Sequence, residues 1–412
     1  MTRCFDDWIV LLGNVGETVT PTDRGLPPSP NGPNLRLDGN EEIDLLGGGN
    51  MDRRGFLKSA GVVSASLALP RTAHLFALGP AADPWRTFEV TTRVEVLKPA
   101  GATYVWLPAA IIRETPFQRT LANEFRAEGG TAELVENKPD ALGIVAAKFP
   151  EGVQPVLTLT CRVMTRNYVV DVSKPRRPKP DAAELQHFLQ PTKLVPTDGI
   201  VKTQADECTR GAATDVEKAR NIYEWVVDNT FRNPKTRGCG AGDIRFMLTS
   251  GDLGGKCADL NALYVGLARA AGLPARHVYG LRVAKSESFK SLGPATENVT
   301  KGQHCRVEVW LEDYGWFPVD PADVRKVVLE EPPGNRPLDD EIVKSARQRL
   351  FGSWEMNWMA YNFAPDVALP GSPTAARANY FMYPQGETAE GRLDPFDPDK
   401  FKYRIIGREL SA

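Results

Sequence analysis

The stretch from Gly254 to Asp320 constrains the fold most. It opens Gly254-Gly255-Lys256-Cys257 and passes into a run of helical period. Leu260, Leu263, Tyr264, Leu267, Ala268 and Ala271 form its apolar stripe, and Gly272 with Pro274 stops it. The period then switches from 3.6 to 2. His277–Val283, His304–Leu311 and Trp316–Val319 alternate as strands do, with Asp313-Tyr314-Gly315 as the turn between the last two. Upstream, Thr214 and Glu217 form a capping box before Val216, Ala219, Ile222, Tyr223, Val226 and Val227 at helical spacing. Helices followed by antiparallel strands give an α+β class.

Around this core, bounded at residues 185–325, the 412-residue chain divides further. Residues 85–175 read as a β-rich, sandwich-like domain, from the alternation in Phe88–Val96 and Val156–Val163 and the strand-like Tyr168–Val170. The Pro/Lys/Arg run Lys174–Pro180 reads as a linker. Residues 326–412 form an aromatic-rich extension with one helix near Glu341–Leu350. Residues 1–50 hold 8 Gly and 5 Pro and no sustained apolar period, so they read as disordered. In residues 51–82, Arg53-Arg54-Gly55-Phe56-Leu57-Lys58 precedes an apolar run, Ala60–Leu69, and a small-residue exit near Ala81. This resembles a twin-arginine export signal. The resemblance implies the twin-arginine machinery as a partner and a periplasmic or secreted protein, with Met51 as the true start and residues 1–50 as an extension of the gene model.

The balance of 50 Lys+Arg against 52 Asp+Glu argues against a nucleic-acid binder, which needs a basic excess. No run of 18 apolar residues exists to span a membrane. The string Gly238-Cys239-Gly240-Ala241-Gly242 follows no clear strand and opens no helix, so it is no dinucleotide fingerprint. Ser250–Cys257 is no phosphate loop, because Cys257 stands where a magnesium-binding hydroxyl is needed. Cys239, Cys257, His304 and Cys305 lack the paired spacing of zinc ligands. No cofactor and no metal are expected.

Cys257 begins an apolar helix behind two glycines. Free backbone N–H groups and the positive end of the helix dipole favour its thiolate, and its own N–H is suited to an oxyanion. Of the four histidines, at 74, 187, 277 and 304, His304 starts a strand whose core face is Cys305, Val307, Val309 and Leu311. His304, Arg306, Glu308 and Trp310 then point toward a cleft or solvent. Asp320 closes the next strand. Pairing Arg306 with Asp320 leaves His304 one diagonal from that carboxylate, on the same face. Taken singly, each of these residues has an inert reading: packing cysteine, surface histidine, turn-forming aspartate. The order Cys, His, Asp reverses the odds.

Gly255-Lys256-Cys257-Ala258-Asp259, the helix ending Ala268–Arg276, Gln303-His304 before Val307-Glu308-Val309, and Gly315–Pro321 together resemble the transglutaminase-like (papain-like) superfamily core. The resemblance implies Cys257 as nucleophile, His304 as general base and then acid, and Asp320 as its orienter, with the nucleophile helix packed on an antiparallel sheet that carries His304 and Asp320. Family members often carry Trp two places after the histidine, where Arg306 stands here. The indole that animal transglutaminases use for the oxyanion has its nearest candidate in Trp225. Cys208 and Cys239 are candidates for a bridge, with the pairing of Cys161, Cys208, Cys239 and Cys305 open. The expected function is acyl transfer through a thioester on a protein, peptide or cell-wall amide, with hydrolysis favoured. Cross-linking, or a non-catalytic binding module on the same fold, are the alternatives.

Overall fold

The computed structural model describes residues 84–410, so the segments 1–50 and 51–82 read above lie outside the described residues. Strands β1 (Arg86–Val96), β2 (Thr103–Pro108), β3 (Gln118–Glu128), β4 (Thr131–Asn137), β5 (Leu142–Phe149) and β6 (Val156–Thr165) come first, then the short β7 (Tyr168–Val169). Helices α1 (Ala182–His187), α2 (Ile200–Cys208) and α3 (Asp215–Asn229) follow, then β8 (Phe231–Arg232), α4 (Ile244–Ser250), β9 (Gly254–Gly255) and α5 (Cys257–Ala270). Next come β10 (Ala275–Arg282), β11 (Gln303–Leu311), β12 (Gly315–Val319), α6 (Pro321–Glu330) and α7 (Glu341–Arg349). The chain closes with β13 (Ser353–Trp354), β14 (Trp358–Asn362), β15 (Pro365–Ala368), β16 (Arg377–Tyr380), β17 (Gln385–Thr388), β18 (Gly391–Leu393) and β19 (Phe401–Leu410). The class is mixed α+β, with a helix-and-sheet core after a β-rich region.

Two sheets form a sandwich, in the orders β19-β1-β6-β3 and β18-β17-β2-β5-β4. The last strand pairs with the whole of the first, from Thr87 opposite Leu410 to Val96 opposite Phe401. Segments that read apart in sequence, 85–175 and 326–412, therefore share both sheets. The central sheet has the order β12-β11-β10-β14. Helix α5 packs on one face of it, against β10 and β11. Its apolar residues form more than a stripe, because every side chain from Cys257 to Arg269 is buried. The sheet covers one side, and α2, α3, α4 and α6 enclose the rest.

Several boundaries match the sequence periods closely. The Thr214–Glu217 capping box opens α3, Cys257 is the first residue of α5, and α7 covers the helix expected near Glu341. Helix α6 was not foreseen. Asp320, read as a turn former, is its N-cap, and Pro321 occupies the first helical position, where a missing N–H costs nothing.

Candidate active site

The hairpin of β11 and β12 pairs Val307 with Val319 and Glu308 with Pro318. One step further, that register sets Arg306 opposite Asp320, the pairing expected from strand parity. His304 then reaches diagonally to the carboxylate, and its Nε2 lies 2.7 Å from Asp320 Oδ2. Both side chains are buried, as is Cys257. With Nε2 engaged by the carboxylate, Nδ1 is the imidazole nitrogen left for the thiol. Cys257 and His304 line one cavity of about 760 Å³, and the neighbouring His304 helps lower the Cys257 pKa.

Asp320 holds two structures at once. Its Oδ1 caps α6 by accepting the Asp323 N–H at 3.1 Å, and it also accepts from Asn261 Nδ2 at 3.3 Å. Asn261, on α5, donates as well to the Cys305 carbonyl at 2.8 Å. The helix bearing the cysteine, the strand bearing the histidine and the helix capped by the aspartate are therefore tied at one buried amide.

The glycine-rich loop rejected as a nucleotide fingerprint acts as a strap over the start of α5. The Ala258 N–H donates to the Cys239 carbonyl at 2.9 Å, and Asp259 accepts from Gly242 N–H at 2.9 Å and Lys256 N–H at 3.0 Å. Gly240 has φ +99°, and a Cβ there would sit 1.8 Å from Asp259 Oδ2, so only glycine fits. The strap brings Cys239 against Cys257, with the Tyr383 hydroxyl donating to the Cys239 sulfur at 3.0 Å. Cys208 and Cys239 do not bridge, and the five described cysteines are free thiols.

These contacts set the charge states. Hydrogen bonds from the Cys239 and Cys305 thiols, then the His304 imidazole, hold Cys257 well below its ordinary pKa against the opposing effect of burial. Cys239 is driven up, chiefly by that same bond to Cys257, and Cys305 chiefly by burial. Both therefore stay protonated, with the Cys239 S–H also donating to the Gln303 carbonyl at 3.4 Å. For His304, burial and the Arg282 cation push the pKa down, but Asp323 and Asp320 outweigh them and bring it to about 10. Both shifts favour a thiolate beside an imidazolium.

Sequence reasoning missed two charged contributors and the burial of a third. Asp323 Oδ2 lies 3.4 Å from His304 Nε2, giving the imidazole a second carboxylate. Arg282, at the end of β10, holds the other Asp323 oxygen at 2.5 Å. Arg306 stays buried, with its Nε 3.9 Å from Asp320 Oδ2 and its guanidinium 4.7 Å from the Trp358 ring. Alternation along β11 gave its face but not its cover. Arg306 and Glu308 were read as facing a cleft or solvent, yet both are buried, because further layers of the protein pack on that side of the sheet. Gly280 faces His304 across the sheet, and a Cβ there would meet the Trp358 ring at 2.3 Å. Its absence admits the indole, whose Nε1 donates to the His304 carbonyl at 2.9 Å. Trp225 does not line the cavity.

Among the described residues, His304, Asp320 and Asp323 come close enough to share a metal ion. Two guanidiniums, Arg282 and Arg306, already balance the two carboxylates, and His304 Nε2 occupies an Asp320 oxygen. A cation would enter a cluster that is neutralised without it.

A model of the transglutaminase-like superfamily matches residues 202–321. An uncharacterized protein of Haemophilus influenzae is 33% identical over an alignment covering 78% of this chain and 91% of its own. A solved structure from Cytophaga hutchinsonii, assigned as a candidate cysteine protease, covers 79% of this chain and 98% of its own at 17% identity and a TM-score of 0.48. Red sea bream transglutaminase covers 75% of this chain and 60% of its own at 12% identity and a TM-score of 0.28. The chain belongs to one family with the Haemophilus protein and carries, over residues 202–321, a transglutaminase-like superfamily domain.

Proposed function

We propose that the protein is a thiol-dependent amide hydrolase, with Cys257 as nucleophile, His304 as acid and base, and Asp320 as the group that orients His304. The observation that carries this reading is the 2.7 Å contact between His304 Nε2 and Asp320 Oδ2, which leaves the other imidazole nitrogen for the depressed-pKa sulfur at the start of α5. The Cys257 sulfur attacks the amide carbon, and the carbonyl π pair moves onto oxygen. The Cys257 backbone N–H supports that oxyanion; it makes no hydrogen bond of its own among the described residues. Collapse breaks the C–N bond, and the imidazolium proton goes to the leaving amine. Neutral His304 then takes a proton from water, hydroxide adds to the thioester, and C–S cleavage restores the thiolate and imidazolium. Asp323 favours the His304 imidazolium, and His304 and Arg306 favour the Asp320 carboxylate against burial and the like charge of Asp323, which raise its pKa.

Labelling with a thiol-directed acylating probe tests the reading. Wild-type protein should take up one equivalent at Cys257 at mildly acidic pH, and Cys257→Ala none. An inert Cys257 would favour the binding-module reading instead. Export by the twin-arginine route to the periplasm or beyond belongs to the same proposal and rests on Arg53-Arg54 and the apolar run that follows. An Arg53→Lys/Arg54→Lys precursor retained in the cytoplasm would support it, and unaltered export would refute it.

A further inference from the structure

The chain as a whole is nearly neutral, but the cavity beside Cys257 is not. Arg232, Lys256, Arg282, Lys301, Lys326 and Lys402 line it, and among the described residues no Asp or Glu does. Two carboxylates outside the lining offset part of this charge. Glu330 is shared by Arg232 and Lys326, and Asp323 holds Arg282. Lys256 and Lys301 pair with no carboxylate among the described residues. Lys402 faces Glu95 across the first sheet, but Glu95 is engaged by Arg93 at 3.1 Å. These lysines come from separate walls: Lys256 from the start of α5, Lys301 from the loop before β11, and Lys402 from β19 of the sandwich. The ammonium of Lys326 is depressed by burial and then by the neighbouring Arg282 and Arg232 cations, as a concentrated positive field requires. Tyr383, Phe396 and Tyr403 supply apolar surface on the same cavity.

We propose that this cavity selects acidic peptide segments, with Asp or Glu side chains of the acyl donor held by Lys256, Lys301 and Lys402 while the scissile amide meets Cys257. The inference rests on the thiol-hydrolase reading, since an amide is the bond that site opens, and it adds the substrate class. A cavity with low-dielectric walls and one sign of charge focuses its field and raises the local concentration of anions. The aromatic wall accepts an apolar side chain of the same peptide.

The test compares two alkylating reagents on the full-length protein, iodoacetate and iodoacetamide. Each forms an S–C bond at Cys257 and expels iodide, but only iodoacetate is an anion. At low salt, the iodoacetate-to-iodoacetamide rate ratio at Cys257 should exceed that of a small free thiol by about tenfold. It should fall at high salt and drop about threefold or more in Lys301→Gln/Lys402→Gln. Because the His304 imidazolium is present in both proteins, the drop isolates the lysines. Proteolytic mapping confirms that Cys257 is the alkylated residue. A ratio equal to that of the free thiol, or unmoved by the substitutions, overturns the substrate inference while leaving the thiolate intact. Failure of both reagents overturns the thiolate reading itself, and the inference falls with it. As a second arm, pools of blocked peptides differing only in Asp/Glu against Asn/Gln are followed by mass spectrometry. Faster turnover of the acidic pool is expected, and equal or slower turnover overturns the proposal.

Discussion

Strand β11 carries two buried charged clusters on one face, only a few residues apart. At its start, His304 meets Asp320, Asp323 and, through Asp323, Arg282. Further along, Glu308 meets Arg276 of β10 at 2.7 Å, and Arg276 reaches Glu184 at 2.9 Å. The chemistry of the pairs is similar, and so is their burial. What differs is the surroundings. The Arg276 guanidinium is sandwiched at 3.8 Å from the rings of both Trp316 and Phe363, whereas His304 opens onto the cavity beside a thiolate. Strand alternation supplies buried charge wherever both faces of a sheet are covered. On the proposed reading, access to Cys257 is what would separate a reactive cluster from one that ties layers together.

The largest expected effect falls on the reactive end. Cys257→Ala should lower turnover of an amide substrate by about 10⁴-fold or more, leaving only oriented binding. Its melting temperature should stay near wild type, because the change removes one sulfur from the cavity wall. Asp320→Asn should cost about 10³-fold in kcat, since the imidazolium loses its charged partner. The same variant should remain folded, because Asn is as good an N-cap as Asp for α6. Loss of fold in Asp320→Asn would remove the distinction between the clusters.

The sealed end should respond in the opposite sense. Arg276→Met leaves the Glu308 carboxylate buried without its partner and should destabilise the fold by about 3–5 kcal/mol in denaturant titration. The kcat of the molecules that remain folded should stay within about twofold of wild type, because nothing in this cluster reaches the thiolate. A large kcat loss at unchanged stability would instead mean that the two clusters act as one unit.

The helix, the hairpin and its register were readable because each is local. Period and parity act over fewer than a dozen neighbouring positions, and the Arg306–Asp320 register follows from them. What escaped is non-local. Strand β3, Gln118–Glu128, is polar and half exposed, so its alternation carries little apolar signal. Its sandwich is completed by β19, almost three hundred residues later. Arg282 and Asp323 escaped for a different reason. A charged residue read alone is assigned to solvent, and only the assembled fold reveals that each is buried because the other is. The inert alternative for Asp320, a turn former, misses the helix it caps, since Asp-Pro opens a helix as readily as it makes a turn.

The pH response sharpens the contrast. Iodoacetamide should alkylate Cys257 at a rate that does not rise around the ordinary 9.0, whereas amide turnover, which needs the imidazolium as acid, should hold a plateau that falls away near 10. In Asp320→Asn, His304 loses a negative neighbour, its pKa falls, and the upper edge of that plateau moves down. Stability follows by linkage. The contribution of the raised His304 pKa is complete below 6.5 and is lost as pH rises through about 10. The contribution of the lowered Cys257 pKa is complete above 9.0 and is lost as pH falls through the lowered value.

The smallest effect expected concerns the strap. Cys239 ranks first among the groups lowering the Cys257 pKa, and its backbone carbonyl also caps Ala258. Cys239→Ala keeps that carbonyl and removes the sulfur, both its S–H donor and the acceptor of the Tyr383 hydroxyl. The Cys257 pKa should rise, and alkylation at mildly acidic pH should slow by a few-fold, about what one hydrogen bond to a charged acceptor supplies when two other donors remain. Cys239→Ser should recover much of the rate, because its hydroxyl also donates to sulfur. Equal loss in the Ala and Ser variants would point to packing of the strap, through Tyr383, as the source of the effect.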